Sequence, residues 1–176
     1  MFDAYIFYIL VFFLTAIQSI VGVGVLVLGT PILLIFKINF IDILTFLLPT
    51  SIVTSLINYI YFNSKNMINF KIDKYTLKIF FLGTIPSVFI GLILLKNFEI
   101  YINFKYLVSG VLLISILLVN QKNIFYKVNR SIKFIFLIII GIIHGLSNSG
   151  GSLLSIFFTT LNKKNESRYY ITFFYF

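Results

Sequence analysis

Five stretches of this chain contain no Asp, Glu, Lys or Arg, and their lengths limit the possible fold more than any other feature. A helix needs about 20 apolar residues to cross a bilayer, with about 17 as the practical minimum. Three of the stretches suit one crossing each, whereas the first and the last are long enough for two short crossings, or for one crossing with a re-entrant piece. The stretches cover residues 4–36, 43–64, 79–95, 106–121 and 134–162.

Composition and pattern together predict an all-α membrane protein. Only 11% of the residues are charged, against roughly 25% in an average globular domain. No stretch alternates polar and apolar residues as a membrane β-barrel would. We therefore expect a polytopic transmembrane helical bundle that forms a single membrane domain over residues 1–176. Helices are predicted at 4–20, 24–36, 42–62, 76–95, 102–119, 132–147 and 151–161, with an eighth beginning near Tyr169.

All ten Gly and all three Pro lie inside the uncharged stretches, although soluble proteins place many of these residues in turns. In a membrane, irregular backbone is tolerated only where it is buried in protein or lines a cavity. Helices broken inside their spans are typical of the binding sites of secondary transporters. The pattern therefore favours a transporter with broken helices.

The positive charges are unevenly distributed, and this bears on the path of the chain. If the two long stretches each cross twice, three basic connectors share one side, which the positive-inside rule assigns to the cytoplasm. The two sides then carry eleven and three positive charges, whereas single crossings would give eight and six. We therefore expect the double crossing, with the N-terminus outside. The basic connectors are 63–78, 120–133 and the last one, which holds Lys163, Lys164 and Arg168.

A faint internal repeat appears at an offset of 126 residues. It pairs Gln18 with His144 and Gly24 with Gly150. On both sides an apolar helix is followed by a polar, glycine-containing break, a second apolar helix and a basic connector. Because five crossings precede the second copy, that copy would be inverted, as is common in secondary transporters. We expect repeat one at about 1–126 and an incomplete repeat two at about 127–176.

The two breaks are the candidate substrate-binding site. Glycine permits sharp turns of the backbone, and the helices that follow present N–H groups and a positive dipole end. These groups suit an anion without requiring Lys or Arg. Hydroxyls beside Pro49 add further donors. The predicted substrate-binding residues are Gln18, Ser19, Gly22, Gly24, Thr30, Pro31, Thr50, Ser51, His144, Ser147, Asn148, Ser149, Gly150, Gly151 and Ser152.

These features also have structural interpretations. Pro31 and Pro49 either mark unwound segments or kink continuous helices. His144 either couples transport to protons or makes one interhelical hydrogen bond as a neutral imidazole. A polar face formed by Thr50, Thr54 and Asn58 would line a cavity or pack on another helix. Small residues often mediate close packing of membrane helices, which we expect for Gly83, Gly91, Gly110 and Gly141.

Other functional classes receive little support. One His, no Cys and no carboxylate well inside a span leave no metal cluster and no acid–base pair, so we predict no catalytic residue, metal or cofactor. The net charge of +9 lies in short connectors, so nucleic acid is not an expected partner. The leader Met1-Phe2-Asp3 carries no Lys or Arg, which argues against a cleaved signal peptide.

At these residues the chain resembles the sulfite exporter TauE/SafE family, also grouped as the 4-toluene sulfonate uptake permeases. Val25, Leu26, Ser87 and Asn148 depart from it, because they stand where glycine is more usual. The chain also stops at Phe176, early in the third helix of repeat two. The features that carry the resemblance, in order, are Gly22-Val23-Gly24, Pro31-Ile32-Leu33-Leu34, Pro49-Thr50-Ser51, the connector 61–70, LGTIPSVFIG at 82–91 and the glycine turn at 145–151.

The resemblance implies a secondary carrier that moves sulfite, a sulfonate or a related sulfur oxyanion across the cytoplasmic membrane by alternating access. It implies no enzymatic activity. A passive anion channel, and a non-functional fragment or interaction subunit of a split transporter, stay open as alternatives. The expected partners are the lipid bilayer, a small anionic substrate, and either a second chain supplying the missing half or further copies in a homo-oligomer.

Overall fold

The protein is built from helices throughout the part that the structure describes. The structure is a computed structural model that describes residues 4–64, 74–119, 129–161 and 164–175. No strand occurs in these ranges, so the all-α prediction is confirmed. The elements are α1 (Ala4–Val21), α2 (Val25–Ile35), α3 (Phe40–Ser64), α4 (Lys74–Ile79), a π-helical turn (Phe80–Thr84), α5 (Ile85–Phe98), α6 (Phe104–Val119), α7 (Arg130–Ser147), α8 (Gly151–Leu161) and α9 (Lys164–Tyr175).

Both predicted breaks are present. Helix α1 ends at Val21 and α2 begins at Val25, while α7 ends at Ser147 and α8 begins at Gly151. The other predicted boundaries agree within a few residues, except that α9 begins at Lys164 rather than near residue 169. Glycine clusters inside apolar stretches were therefore reliable indicators of where these helices stop.

All three prolines lie in continuous helical segments. Pro31 and Pro49 are inside α2 and α3, so neither marks an unwound segment. Pro86 is at the start of α5, directly after the π-helical turn that joins α4 to α5. Because proline has no N–H, it cannot make the usual bond to the carbonyl four residues earlier, and the turn before it is wider than an α-helical turn.

Three helices are long and apolar enough to cross a membrane, judged by length and composition over the described residues. By contrast, α2 has 11 residues, which at 1.5 Å per residue span about 16 Å, roughly half of a hydrocarbon core; α8 has the same length. The spanning candidates are Phe40–Ser64, Leu77–Phe98 and Arg130–Ser147, and the shorter apolar helices are Tyr5–Val21, Val25–Ile35, Phe104–Val119 and Gly151–Thr160.

Helices α1 and α2 form a hairpin that starts and ends at the same end of the bundle. The ring of Phe7 packs on Phe46 near the start of α3, and Gln18 bonds Ser55 farther along α3, so α1 and α3 are parallel. Helix α2 returns in the opposite direction and packs against both of them. The predicted double crossing of residues 4–36 is therefore a hairpin with a short second arm.

Helices α4 and α7 begin at a common end of the bundle. The guanidinium of Arg130 lies 5.2 Å from the centroid of the Tyr75 ring. Two of the basic connectors therefore lead to the same end, which the double-crossing and the single-crossing paths both require. Of the basic residues used in the charge comparison, Lys65, Lys71, Lys122, Lys127 and Lys163 lie outside the described residues, as do residues 65–70 of the connector motif.

Helices α5 and α7 are parallel and pack through glycine. A Cβ atom added at Gly91 would lie 2.4 Å from the Ile142 carbonyl oxygen, and one at Gly145 would lie 2.3 Å from the Val88 carbonyl oxygen. Such contact between backbones needs small residues. Among the described residues, no heavy atom lies within 4 Å of a Cβ placed at Gly110, so its predicted packing role was wrong. That role is confirmed for Gly83, Gly91 and Gly141.

Helix α9 closes one side of the bundle with aromatic rings. Phe174 stacks on Phe158 of α8, with centroids 4.9 Å apart, and lies 4.1 Å from the Phe80 ring of the π-helical turn. Tyr59 of α3 stacks on Tyr169 at 5.9 Å. These contacts close one side of the space between α3, α7 and α8.

Candidate functional site

The first break folds α2 back onto α1. Gly22 has a φ of 89°, in the left-handed region that favours glycine. A Cβ at Gly24 would lie 2.9 Å from the Gln18 nitrogen and 3.1 Å from the Leu14 carbonyl oxygen. The two glycines therefore permit the reversal and the close approach of the two helix backbones.

Gln18 closes this first break with hydrogen bonds. Its side chain is fully buried. The Nε2 group donates to the Oγ atoms of Ser51 and Ser55, at 3.1 and 2.9 Å, and to the Ser51 carbonyl at 3.0 Å. The Oε1 atom accepts a bond of 3.1 Å from the first N–H of α2, that of Val25. Gln18 thus joins α1, α2 and α3 and caps a donor that the break exposes.

The second break ends α7 with a left-handed residue. Asn148 has a φ of 57°, and its N–H donates to the His144 carbonyl at 2.8 Å. Asn is one of the few side chains that tolerate this conformation at a helix end. A Cβ at Gly150 would lie 2.6 Å from the His144 Cβ. Gly150 therefore contacts His144 much as Gly24 contacts Gln18.

The serines around the second break are bonded within the protein. The Ser147 hydroxyl donates to the Ile143 carbonyl at 2.7 Å, and the Ser149 hydroxyl donates to the Ser147 carbonyl at 3.2 Å. The Ser152 hydroxyl donates to the Ser149 carbonyl and also lies 2.7 Å from the Ser115 hydroxyl of α6. These side chains thus shape the break and attach it to α6.

One hydrogen bond joins the two hairpins, between the second break and the middle of α2. The Nδ2 group of Asn148 donates to the Thr30 hydroxyl of α2 at 3.0 Å. Both side chains are buried, at 1% and 0% exposure. The hairpins enter the bundle from opposite ends, so this bond connects their inner parts near its middle.

A cavity of about 240 Å³ lies between the hairpins, the π-helical turn and α9. That volume is well above the roughly 10–15 Å³ of accessible space that one water molecule needs. Of the predicted substrate-binding residues, Ser51, His144, Gly150 and Gly151 line it. The apolar lining comes from Leu26, Leu48, Ile52, Phe80, Ile85, Val88, Phe89, Ile140, Leu154 and Phe174. Within the described ranges no group of three or more metal-ligand side chains forms.

One polar lining residue was not predicted. The hydroxyl of Thr84, in the π-helical turn, is buried and has no hydrogen-bond partner among the described residues. The sequence offered one weak signal, since Thr84 stands between Gly83 and Pro86 inside an apolar stretch. A helical periodicity does not reveal a π-helical turn, so the direction of this side chain could not be inferred.

Two of the predicted substrate-binding residues lie outside the cavity, in a separate groove. Ser19 and Thr50 line an open groove between α1 and α3, together with Thr15 and Thr54. The hydroxyl of Thr50 donates to the Phe46 carbonyl of its own helix at 2.7 Å. The remaining predicted residues do not line the described cavity. Gly22, Gly24, Asn148 and Ser149 lie in the breaks, and Gln18, Thr30, Pro31, Ser147 and Ser152 lie in the helices that flank them.

The fold defines a multi-pass membrane protein with a partly open, partly polar cavity beside the second helix break. The family profile described as Sulfite exporter TauE/SafE matches residues 7–169, and the chain belongs to this family. The family comprises membrane transporters of sulfur anions rather than enzymes. Comparison with curated proteins gives no match, and comparison with solved structures gives none either.

Proposed function

We propose that this chain is a secondary carrier that binds a small sulfur anion in the cavity between the two breaks. The observation that carries this proposal is the position of α8, whose first residue, Gly151, lines the cavity beside Gly150. The first turn of a helix has N–H groups without helical partners and a positive dipole end. An anion in the cavity would therefore meet favourable charge at this point.

The composition of the lining supports a choice among sulfur anions. Among the described residues no Lys or Arg lines the cavity, so the anion is held by dipoles and hydrogen bonds. Most of the wall is apolar. A sulfonate with a small apolar substituent therefore fits better than sulfite, because its substituent is buried against the wall while its oxygens face the start of α8.

Alternating access is the mechanism that the two hairpins favour. The proposed repeats, at about 1–126 and 127–176, each have a hairpin next to the cavity. Leu26 of α2 lines it from the first, and His144, Gly150, Gly151 and Leu154 line it from the second. Rocking of one repeat against the other would open the cavity to each side in turn. The bond between Thr30 and Asn148 lies where the two would move. His144 lines the same cavity and is the candidate for coupling to protons.

The membrane is the cytoplasmic membrane, with the ends of the helices that carry the basic connectors on the cytoplasmic side.

We also propose that a further helix, from a second chain or another copy, packs in the open groove between α1 and α3. At the offset of 126 residues, Thr15 and Ser19 of that groove correspond to Gly141 and Gly145. Those two glycines are covered by α5.

Flux into proteoliposomes tests the carrier. We expect uptake of labelled methanesulfonate and labelled sulfite to saturate with concentration, and unlabelled substrate inside to accelerate the entry of label. Uptake that rises linearly without such exchange would show a passive channel instead. Uptake equal to that of empty liposomes would contradict transport by this chain, and would leave the interaction subunit as its role.

A further inference from the structure

The two hairpins have matching helices. Helix α7 (Arg130–Ser147) begins and ends at the same offset of 126 residues from α1 (Ala4–Val21), and α8 (Gly151–Leu161) has that offset from α2 (Val25–Ile35). Helix α9 follows α8 as α3 follows α2. The surroundings of the two hairpins can therefore be compared position by position.

One face of α7 is covered by α5, with small residues on both helices. Gly141 of α7 meets Ser87 of α5, and a Cβ at Gly145 would lie 2.9 Å from the Gly91 Cα atom. Ser87 and Gly91 are four residues apart and therefore lie on one face of α5. Two pairs of small residues thus let the two parallel helices pack closely.

The corresponding face of α1 has no such cover among the described residues. Thr15 and Ser19 stand where α7 has Gly141 and Gly145, and they line the open groove together with residues of α3. A helix placed in this groove would stand to α1 as α5 stands to α7. The second hairpin therefore indicates what kind of element the groove of the first can accept.

The hydroxyls of the groove restrict the chemistry of that helix. The Thr15 hydroxyl donates to the Phe12 carbonyl at 2.8 Å, and those of Thr50 and Thr54 donate to carbonyls of α3 at 2.7 Å. Because these hydroxyls are satisfied within their own helices, an apolar helix can cover them. Threonine and serine are larger than glycine, so close packing needs smaller residues on the incoming helix than α5 has.

We propose that the groove between α1 and α3 binds an apolar membrane-spanning helix of a different polypeptide, parallel to α1 and with two glycines four residues apart. This inference rests on the proposed function, which leaves the source of the helix open, and deepens it. A second copy fits less well. The only two glycines of this sequence with that spacing are Gly141 and Gly145, which α5 already covers. Two grooves facing each other would also leave an empty space between the copies.

A synthetic peptide with the sequence of residues 74–98 and the substitution Ser87→Gly is the probe, because it has glycine at both contact positions. The chain has no Cys, so Val119→Cys provides a unique site for a dye at the exposed end of α6. Energy transfer from the labelled peptide to this dye, in nanodiscs that contain the full chain, should saturate. A further Gly91→Leu substitution in the peptide should weaken its association by about 10-fold or more.

Two variants of the full chain separate the groove from the rest of the surface. Ser19→Phe would fill the groove and should weaken peptide association by about 10-fold or more. Ile20→Phe is the matched control, since Ile20 is the next residue of α1, is 69% exposed and does not line the groove. Its association with the peptide should equal that of the natural chain.

Three results would overturn this inference. They are no saturable association of the peptide with the natural chain, equal association in Ser19→Phe and Ile20→Phe, and a dimer of the natural chain that Ser19→Phe abolishes, which would show a second copy in the groove. Binding of methanesulfonate is measured on the same nanodiscs. If the anion binds and the peptide does not, the carrier stands without this partner, and the reverse result would contradict the carrier alone.

Discussion

The two breaks share one backbone design but differ in what faces the interior. In the first, Gly24 packs on Gln18, whose amide bonds Ser51, Ser55 and the start of α2. In the second, Gly150 packs on His144, and both residues line the cavity. The comparison shows that a helix break can serve either to connect helices or to expose a helix end to a cavity.

The helices that precede the breaks differ in the same way. Helix α7 is covered by α5, with glycine at the contact, while the corresponding part of α1 borders an open groove. The second hairpin therefore packs tightly on another helix at the face where the first hairpin borders an open groove. We expect substitutions to have unequal effects at corresponding positions of the two hairpins.

The largest difference should appear between Gly145→Ala and Ser19→Ala. A methyl group at residue 145 would meet backbone atoms of α5, which cannot move aside as a side chain can. We expect a loss of about 3 kcal/mol or more in the free energy of unfolding, against about 0.5 kcal/mol or less for Ser19→Ala. Unfolding by denaturant in detergent micelles measures both. Similarly small losses of unfolding free energy in both variants would show that α5 does not pack tightly on α7 at Gly145.

A smaller but substantial effect is expected from Gln18→Leu. The substitution leaves the Val25 N–H and two serine hydroxyls without this partner, and unsatisfied buried groups cost about 1–3 kcal/mol each. Because some of these groups will form hydrogen bonds with other partners, we expect the free energy of unfolding to fall by about 2–4 kcal/mol in total. Thr50→Val, which removes a hydroxyl bonded only to its own helix, is the control and should change stability little. A Gln18→Leu variant as stable as the natural chain would refute the role of Gln18 in closing the first break.

The smallest effect concerns the bond that joins the hairpins. In a double-mutant cycle of Thr30→Val and Asn148→Gly, we expect a coupling energy of about 1 kcal/mol. Glycine is used at residue 148 because it accepts the left-handed conformation. Strictly additive changes in unfolding free energy would indicate that the two side chains do not interact.

Much of the fold could be predicted because it depends on local signals. Uncharged lengths predicted the helices, and Gly22, Gly24, Gly150 and Gly151 predicted where two of them break. The roles of individual site residues depend on contacts distant in sequence. The acceptors of Gln18 lie 33 and 37 residues away, and no periodic pattern identifies them.

The orientation of polar side chains within a helix could not be predicted from the sequence either. Thr50 and Ser51 are neighbours in α3, yet Thr50 borders the open groove and Ser51 lines the cavity. Successive residues of an α-helix point about 100° apart, so the choice between them depends on which neighbouring helix covers which face. That information comes only from the tertiary arrangement.

Filling the cavity tests its role most directly. Val88 lines it, and Val88→Phe would place a larger side chain inside, whereas Val119→Phe adds the same bulk where the side chain is 58% exposed at the end of α6. Binding of methanesulfonate, measured on folded protein of both variants, should be lost in Val88→Phe and preserved in Val119→Phe. Unchanged binding in Val88→Phe would contradict the claim that the anion occupies the space between the two breaks.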